Sequence, residues 1–533
     1  MFLIFSLIFY SDKMHWADIY AEKLLKRGKE HVIETGTSIS GIPHIGNASD
    51  VIRGDAIRKA LEERNAKVRF IWVADDSDPF RKIPKGLENL KEYLGFPVIA
   101  IPDPYGCHDN FVEHFVSKFI AELESFGIDV EKYSATELYR SGKFYQLIKI
   151  AIENSSKIVE ILNRFRKEPL PRDTILWKPV CESCGKIATT KAYKVDGDLV
   201  YYKCEDAIVS GTEVKGCGYE GISDLKEGKG KLPWRVEWAM RWAYFKVTCE
   251  PLGKEHASAG GSFWTSQLIS KEIFCHEPPL PVIYEFFTLN GEKISSSKGN
   301  VITLSDWINV AEPEVLKFFM YKKLNKQRDI NLRKIPAITD EYDEAELIYF
   351  GKKSGSKELA RMYELAQINT PKFLGIPFTL CAVLSQIVPD LSLEKIVEKL
   401  EKLGYRDFDL SRLEKRLKVA KTWNSLYGPP HLKFSLLSDE EFKKLKPSLK
   451  EKLSEAQIEV LKKISELLER KEPTAEELHR EIYRISRELN CKPSDAFKAI
   501  YLVLINKTEG PKAASFILSL DKNFVISRFK ELS

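Results

Sequence analysis

The feature that most constrains this chain is a turn at residues 40–47, Ser-Gly-Ile-Pro-His-Ile-Gly-Asn, set between a strand pattern and a helix pattern. Residues 31–35, His-Val-Ile-Glu-Thr, read as a strand. Residues 48–65 put Val51, Ile52, Ala56, Ile57, Ala60 and Leu61 on one helical face. A strand that enters a helix through such a turn opens an α/β unit and points backbone N–H groups at a bound anion. Gly41 and Gly46 let backbone come close to a ligand. His44 and Asn47 add an imidazole and an amide able to donate to phosphate oxygens. The turn alone is also consistent with a plain capped helix start.

The pattern continues. Strand-like segments at 31–38, 68–74 and near 129–134 alternate with helical ones such as 110–126, which predicts a doubly wound parallel sheet with sites at its carboxyl strand ends. Asp75-Asp76-Ser77-Asp78-Pro79 lies at one such end, where its carboxylates either receive a cationic group or cap a loop. The 533 residues leave room for two or three domains, and 44% apolar with 30% charged residues is a globular composition. A net charge of +5 permits nucleic-acid binding through local patches without requiring it.

A second loop, residues 293–300, reads Lys-Ile-Ser-Ser-Ser-Lys-Gly-Asn after an apolar run at 281–289 and a turn at Asn290-Gly291. Lys293 and Lys298 flank Ser295, Ser296 and Ser297, a cationic loop suited to neutralising a triphosphate and a departing pyrophosphate. In this order, the two stretches resemble the "HIGH" and "KMSKS" signatures of class I aminoacyl-tRNA synthetases. Ser296 stands where that motif usually has lysine, so Lys293 and Lys298 carry the charge. The resemblance implies ATP binding by Gly41, His44, Gly46, Asn47, Lys293, Ser295, Ser296, Ser297 and Lys298, with His44, Asn47, Lys293 and Lys298 as the catalytic set and Mg²⁺ on the phosphates.

Nine cysteines, with a CxxC and a Cys-His pair among them, suggest metal sites and a reducing compartment, hence the cytosol. Asp103, Cys107, His108 and His114 offer mixed O/S/N ligands within twelve residues. Zinc accepts all three types, provided a loop bends them together. Cys181, Cys184, Cys204 and Cys217 lie among β-like runs at 192–202 and 219–222, as in a zinc ribbon. Its second knuckle is widened by an insertion at 205–216. The remaining Cys249, Cys275, Cys381 and Cys491 are expected to be buried thiols. Trp234, Trp238 and Trp242 repeat every four residues, a buried helical stripe with Trp234 at its edge. His256 follows in a small-residue turn and faces either a ligand or the core.

Residues 304–324 read as helices, and from about 340 to the end the pattern is almost wholly helical, as at 394–403, 451–471 and 476–489. Residues 1–10 are apolar but too few to span a bilayer, and Met14 opens an amphipathic helix at 15–26, so translation is expected to begin at Met14. The organisation expected is an extension at 1–13, a Rossmann-type catalytic domain at 14–165 and 233–303, a zinc-ribbon-like insertion at 166–232, a helical stem at 304–350 and an α-helical anticodon-binding domain at 351–533.

The segments MHWADIYAEKLL, ETGTSISGIPHIGN, DPYGCHDNFVEH, LPWRVEWAMRW, GKEH, YEFFTLNGEKISSSKGN and EGPKAASFILSLD resemble archaeal-type class I lysyl-tRNA synthetases across nearly the whole chain. That resemblance implies activation of L-lysine with ATP and transfer to tRNA(Lys). It also implies a lysine pocket of Gly36, Ser38, Trp234, His256 and Tyr284 and strengthens the metal reading of the Asp103 stretch, while the two ligand sets and the short apolar start lead to two structural zinc sites and no membrane partner. Ser38 stands where threonine is usual and keeps the hydroxyl. Glu34, Asp75 and Asp76 are the candidate carboxylates for the lysine ammonium. Two other readings stay open at this level: a glutamyl-like class I synthetase, whose pocket offers an arginine, and a non-catalytic tRNA-binding paralogue.

Overall fold

The computed structural model describes residues 14–39, 41–294 and 300–532. The expectations for 1–13 and for Ser295, Ser296, Ser297 and Lys298 fall outside the described residues. The chain forms two compact units. One runs up to Asp306 and includes Lys317–Asn331 and Lys357–Asn369; the other comprises Trp307–Leu316, Leu332–Ser356 and the chain from Thr370 onward.

After helix α1 (Trp16–Leu25), the first unit is built on five parallel strands. These are β1 (Glu30–Thr37), β2 (Lys67–Ala74), β3 (Glu131–Ser134), β4 (Cys249–Gly253) and β5 (Leu280–Tyr284). Their order is β5-β4-β1-β2-β3. β1 and β2 pair in unbroken register from Glu30 opposite Lys67 to Thr37 opposite Ala74. The chain fills one side of β1 first, through β2 and β3, and then the other through β4 and β5. The order therefore reverses between β1 and β4, and at their carboxyl ends such a reversal leaves a crevice for ligand.

Helix α2 (Ile45–Glu62) starts three residues before the apolar pattern, at the signature turn itself. All six expected core positions, Val51, Ile52, Ala56, Ile57, Ala60 and Leu61, are fully buried. Each large aliphatic among them contributes about 1.5–3 kcal/mol by leaving water. Gly54 lets the helix lie close on the sheet, since a β-carbon there would come within 2.7 Å of the Phe70 ring. Helix α3 (Phe111–Ser125), α4 (Trp234–Phe245) and α5 (Ser262–Glu272) belong to the same unit.

Three expectations are corrected. The run at 192–202 is a hairpin of strands Thr190–Asp196 and Leu199–Cys204, turned at Gly197 with φ +60°. The helix at 451–471 is two helices, Asp439–Lys452 and Glu455–Arg470; Ser454 caps the second through a reciprocal box with Gln457. Cys275 is exposed rather than buried, because it occupies a left-handed turn position (φ +52°) between α5 and β5. Cys249, Cys381 and Cys491 are buried as expected.

The second unit is helical throughout its described core. It is held in part by Arg416, fully buried with Glu312 at 2.9 Å and Asp343 at 2.8 Å. Among the described residues, no helix is long and apolar enough to cross a membrane.

Candidate active site

The crevice at the carboxyl ends of β1, β4 and β5 is a cavity of about 350 Å³. All five expected lysine-pocket residues, Gly36, Ser38, Trp234, His256 and Tyr284, line it, together with His44, Gly46, Asn47 and Lys293. Gly41 does not line it; its φ of +154° shapes the approach to the turn.

The signature turn is organised by His44, the N-cap of α2. Its Nδ1 accepts the Gly46 N–H at 2.9 Å, while its own N–H donates to Oδ1 of Asn47 at 3.0 Å. Burial pushes the imidazole down to about 4, so it is neutral near pH 7. With Nδ1 accepting, the ring proton sits on Nε2, which makes His44 an uncharged donor. Asn47, its Oδ1 occupied, keeps its NH₂ for another acceptor. Gly46 is required for this packing: a β-carbon would sit 2.6 Å from Cε1 of His44. The chain that follows the second loop joins here, since Ile45 N–H donates to the Ile302 carbonyl at 2.8 Å. Lys293 is exposed at the cavity edge, on a short strand paired antiparallel with Phe287–Leu289.

The opposite wall is aromatic and acidic. Trp234 and Trp238 lie 4.7 Å apart, and Trp234 is 5.5 Å from the His256 ring. His256 is in contact with Ser262 through Nδ1 at 3.1 Å. Burial lowers the basicity of His256. Tyr284 donates to Asp50, and the Arg53 guanidinium lies 4.0 Å from the Tyr284 ring centroid. Burial lifts Asp50 to about 7.

Below the cavity runs a buried charge network. Arg241 bonds Asp75 and reaches Glu34 at 2.9 Å, with Glu237 at 3.8 Å. Lys231 joins Asp78 and lies 3.1 Å from Glu237. Of the three candidate ammonium partners, Glu34 and Asp75 are thus committed to Arg241. Asp76 instead accepts from Thr136 N and Oγ1, both at 2.8 Å, and from Ser134. Sequence reasoning missed Asp50, Arg241, Glu250 and the ligand-facing side of Trp238. A glutamate inside the buried strand Cys249–Gly253 was the signal available for Glu250.

Both metal-ligand sets assemble. Ligand atoms of Asp103, Cys107, His108 and His114 all lie within 4.8 Å of one another, as do those of Cys181, Cys184, Cys204 and Cys217. In the first set Sγ of Cys107 is 3.1 Å from Nδ1 of His108 and 3.3 Å from Nδ1 of His114. In the second, Sγ separations are 3.6 Å for Cys181–Cys217 and 3.7 Å for Cys184–Cys204. Zinc–sulfur bonds of about 2.3 Å in a tetrahedron give sulfur separations of about 3.8 Å, so the second set fits zinc without rearrangement. The widening of its second knuckle is a hairpin, Ala207–Val209 with Thr212–Val214.

A family model described as tRNA synthetases class I (K) matches residues 14–369. The chain belongs to this family of class I synthetases. A second model, an anticodon binding domain, matches residues 429–532. Over 97% of this synthetase and 99% of each relative, it is 39% identical to the lysine–tRNA ligase of Methanocaldococcus jannaschii, 38% to that of Pyrococcus furiosus and 36% to that of Methanosphaera stadtmanae.

Proposed function

We propose that this class I synthetase is a lysine–tRNA ligase. A lysine carboxylate oxygen attacks the α-phosphorus of ATP, forming lysyl-adenylate and releasing pyrophosphate. The 2′-hydroxyl of the terminal adenosine of tRNA(Lys) then takes the lysyl group and releases AMP. No covalent enzyme nucleophile is needed, and positioning with charge stabilisation carries the rate. The observation that carries this reading is one cavity lined both by the signature turn and by an aromatic, acidic wall.

His44 Nε2–H, the Asn47 amide and the N-terminus of α2 hold the phosphates, and Lys293 and Lys298 meet the pyrophosphate, with Mg²⁺ bound to the nucleotide. Trp234 and Tyr284 cover the methylene stem of lysine, and Gly36, Ser38 and His256 complete the pocket. Arg241 argues against a glutamyl pocket, because Glu34 and Asp75 already take its guanidinium. Zinc at each four-ligand set supplies folding energy to its loop rather than chemistry to the reaction. Helices of the C-terminal region grip the anticodon arm of tRNA, and the enzyme works in the cytosol.

The test is amino-acid-dependent ATP–pyrophosphate exchange with each of the twenty amino acids, with and without tRNA. Exchange with lysine supports the reading. Exchange with a different amino acid keeps the class and overturns the pocket. Silence with all twenty, in folded protein supplied with tRNA, favours a binding paralogue.

A further inference from the structure

We infer that Glu250 is the specificity-determining carboxylate that receives the side-chain ammonium of the amino-acid substrate. The inference rests on the lysine reading above and deepens it, since that reading leaves the ammonium's partner unassigned.

Four carboxylates line the cavity: Asp50, Asp75, Glu250 and Glu255. Asp75 is neutralised by Arg241, and Glu255 is exposed on its loop. Glu250 is only 6% exposed, yet among the described residues no cationic side chain forms an ion pair with it. Its two oxygens instead accept indole N–H groups, from Trp238 at 2.8 Å and from Trp242. Indoles only donate, so they fix the carboxylate in place without cancelling its charge. A buried carboxylate left without a counter-cation costs several kcal/mol unless it takes a proton or meets a cation. Burial and the charge of Glu34 push this carboxyl well up, against the pull of Arg241 and the two indoles. A ligand ammonium at this position relieves that cost and is selected by it.

The fold also says which ammonium of lysine arrives. The reacting carboxyl must lie beside His44 and Asn47, so the α-ammonium stays at the α2 side of the cavity. Asp50, three residues beyond Asn47 on that helix, lines the wall there. Glu250 lies on β4, across the reversal in strand order. It is bound to Trp238, whose ring lies 4.7 Å from that of Trp234 at a tilt of 31°, so an aliphatic stem passing along those rings ends at Glu250. The same rings favour a cation over a neutral tip.

The experiment compares L-lysine with L-norleucine, which keeps the α-amino acid and the stem but lacks the ε-ammonium. Binding of each to the full-length enzyme is titrated by calorimetry for wild type, Glu250→Gln and Glu250→Asp. Glu250→Gln is expected to weaken lysine on the order of a hundredfold and to leave norleucine within about threefold, because only lysine loses a charge partner. Glu250→Asp, which keeps the charge, is expected to retain most of the preference for lysine and controls for folding. Equal weakening of both ligands in Glu250→Gln would reduce Glu250 to a clamp for the two indoles. Unchanged lysine binding in that variant would place the ammonium elsewhere. Either result, with wild-type exchange still lysine-dependent, overturns this assignment alone; loss of lysine dependence in the wild type overturns the reading beneath it.

Discussion

The backbone N–H of Gly46 donates to Nδ1 of His44 at 2.9 Å, which decides the tautomer of the signature histidine. The ring is neutral and offers Nε2–H. His44→Ala is expected to slow pyrophosphate exchange by roughly 10²–10³-fold, the effect of losing one preorganised donor. Gly46→Ala should approach the same loss while keeping the histidine, because its methyl group displaces the ring. An alanine at 46 with full exchange would show that His44 does not need this orientation.

Arg241 and Asp75 form an ion pair at the cavity floor, with Glu34 on the same guanidinium. Arg241→Met leaves two buried carboxylates without their cation. It is expected to cost about 3–5 kcal/mol in denaturant unfolding, as removal of one partner of a buried pair does. Arg241→Lys restores charge but not the planar fork that reaches both carboxylates, so an intermediate loss is expected. A variant as stable as wild type would mean that Glu34 and Asp75 simply take up protons at little cost.

Much of this was legible in the sequence because local rules and global fold agree. The Ser40–Asn47 turn, the six buried positions of α2 and both metal-ligand sets rest on period and spacing, which survive without tertiary context. Other features depend on long-range packing. Trp238 repeats at helical spacing and is buried, yet one edge of it lines the cavity, and periodicity does not separate those faces. Glu250 is a single acidic residue in a short strand whose meaning comes from two indoles on a helix. The break before Glu455 was readable from Ser454 and Gln457, a capping pair hidden in a long run of lysine and glutamate.

Asp50 sets a pH dependence. Burial raises its carboxyl to about 7, against the Tyr284 hydrogen bond and the Arg53 charge, while Glu255 pushes it further up. Below that value the group holds its proton, and a cationic ligand favours the ionised form. Lysine affinity is therefore expected to strengthen as pH rises from about 6 to 8, with proton release on binding. Glu250, whose carboxyl is pushed well up by burial and by Glu34 beside it, acts with the same sign when it receives the ammonium. Asp50→Asn should remove only its own share of the slope. Calorimetry in buffers of different ionisation enthalpy measures the proton release, and proton uptake on binding would contradict the assignment.

The two metal-ligand sets make separable predictions. Cys181→Ser with Cys184→Ser should lower bound zinc from two per chain to one and loosen the ribbon, read by metal analysis and by limited proteolysis in the segment between Cys204, at the end of its strand, and Cys217 in the loop beyond the hairpin. Cys107→Ser with His114→Ala should remove the other ion and free the loop from Asp103 onward, leaving the ribbon protected. Thiolates bind zinc more tightly than a mixed carboxylate, imidazole and thiolate set, so graded chelation should empty the Asp103 set first. Loss of both ions in either double variant would mean that the two sites fold together. Retention of two ions without Cys181 and Cys184 would remove the four-thiolate assignment.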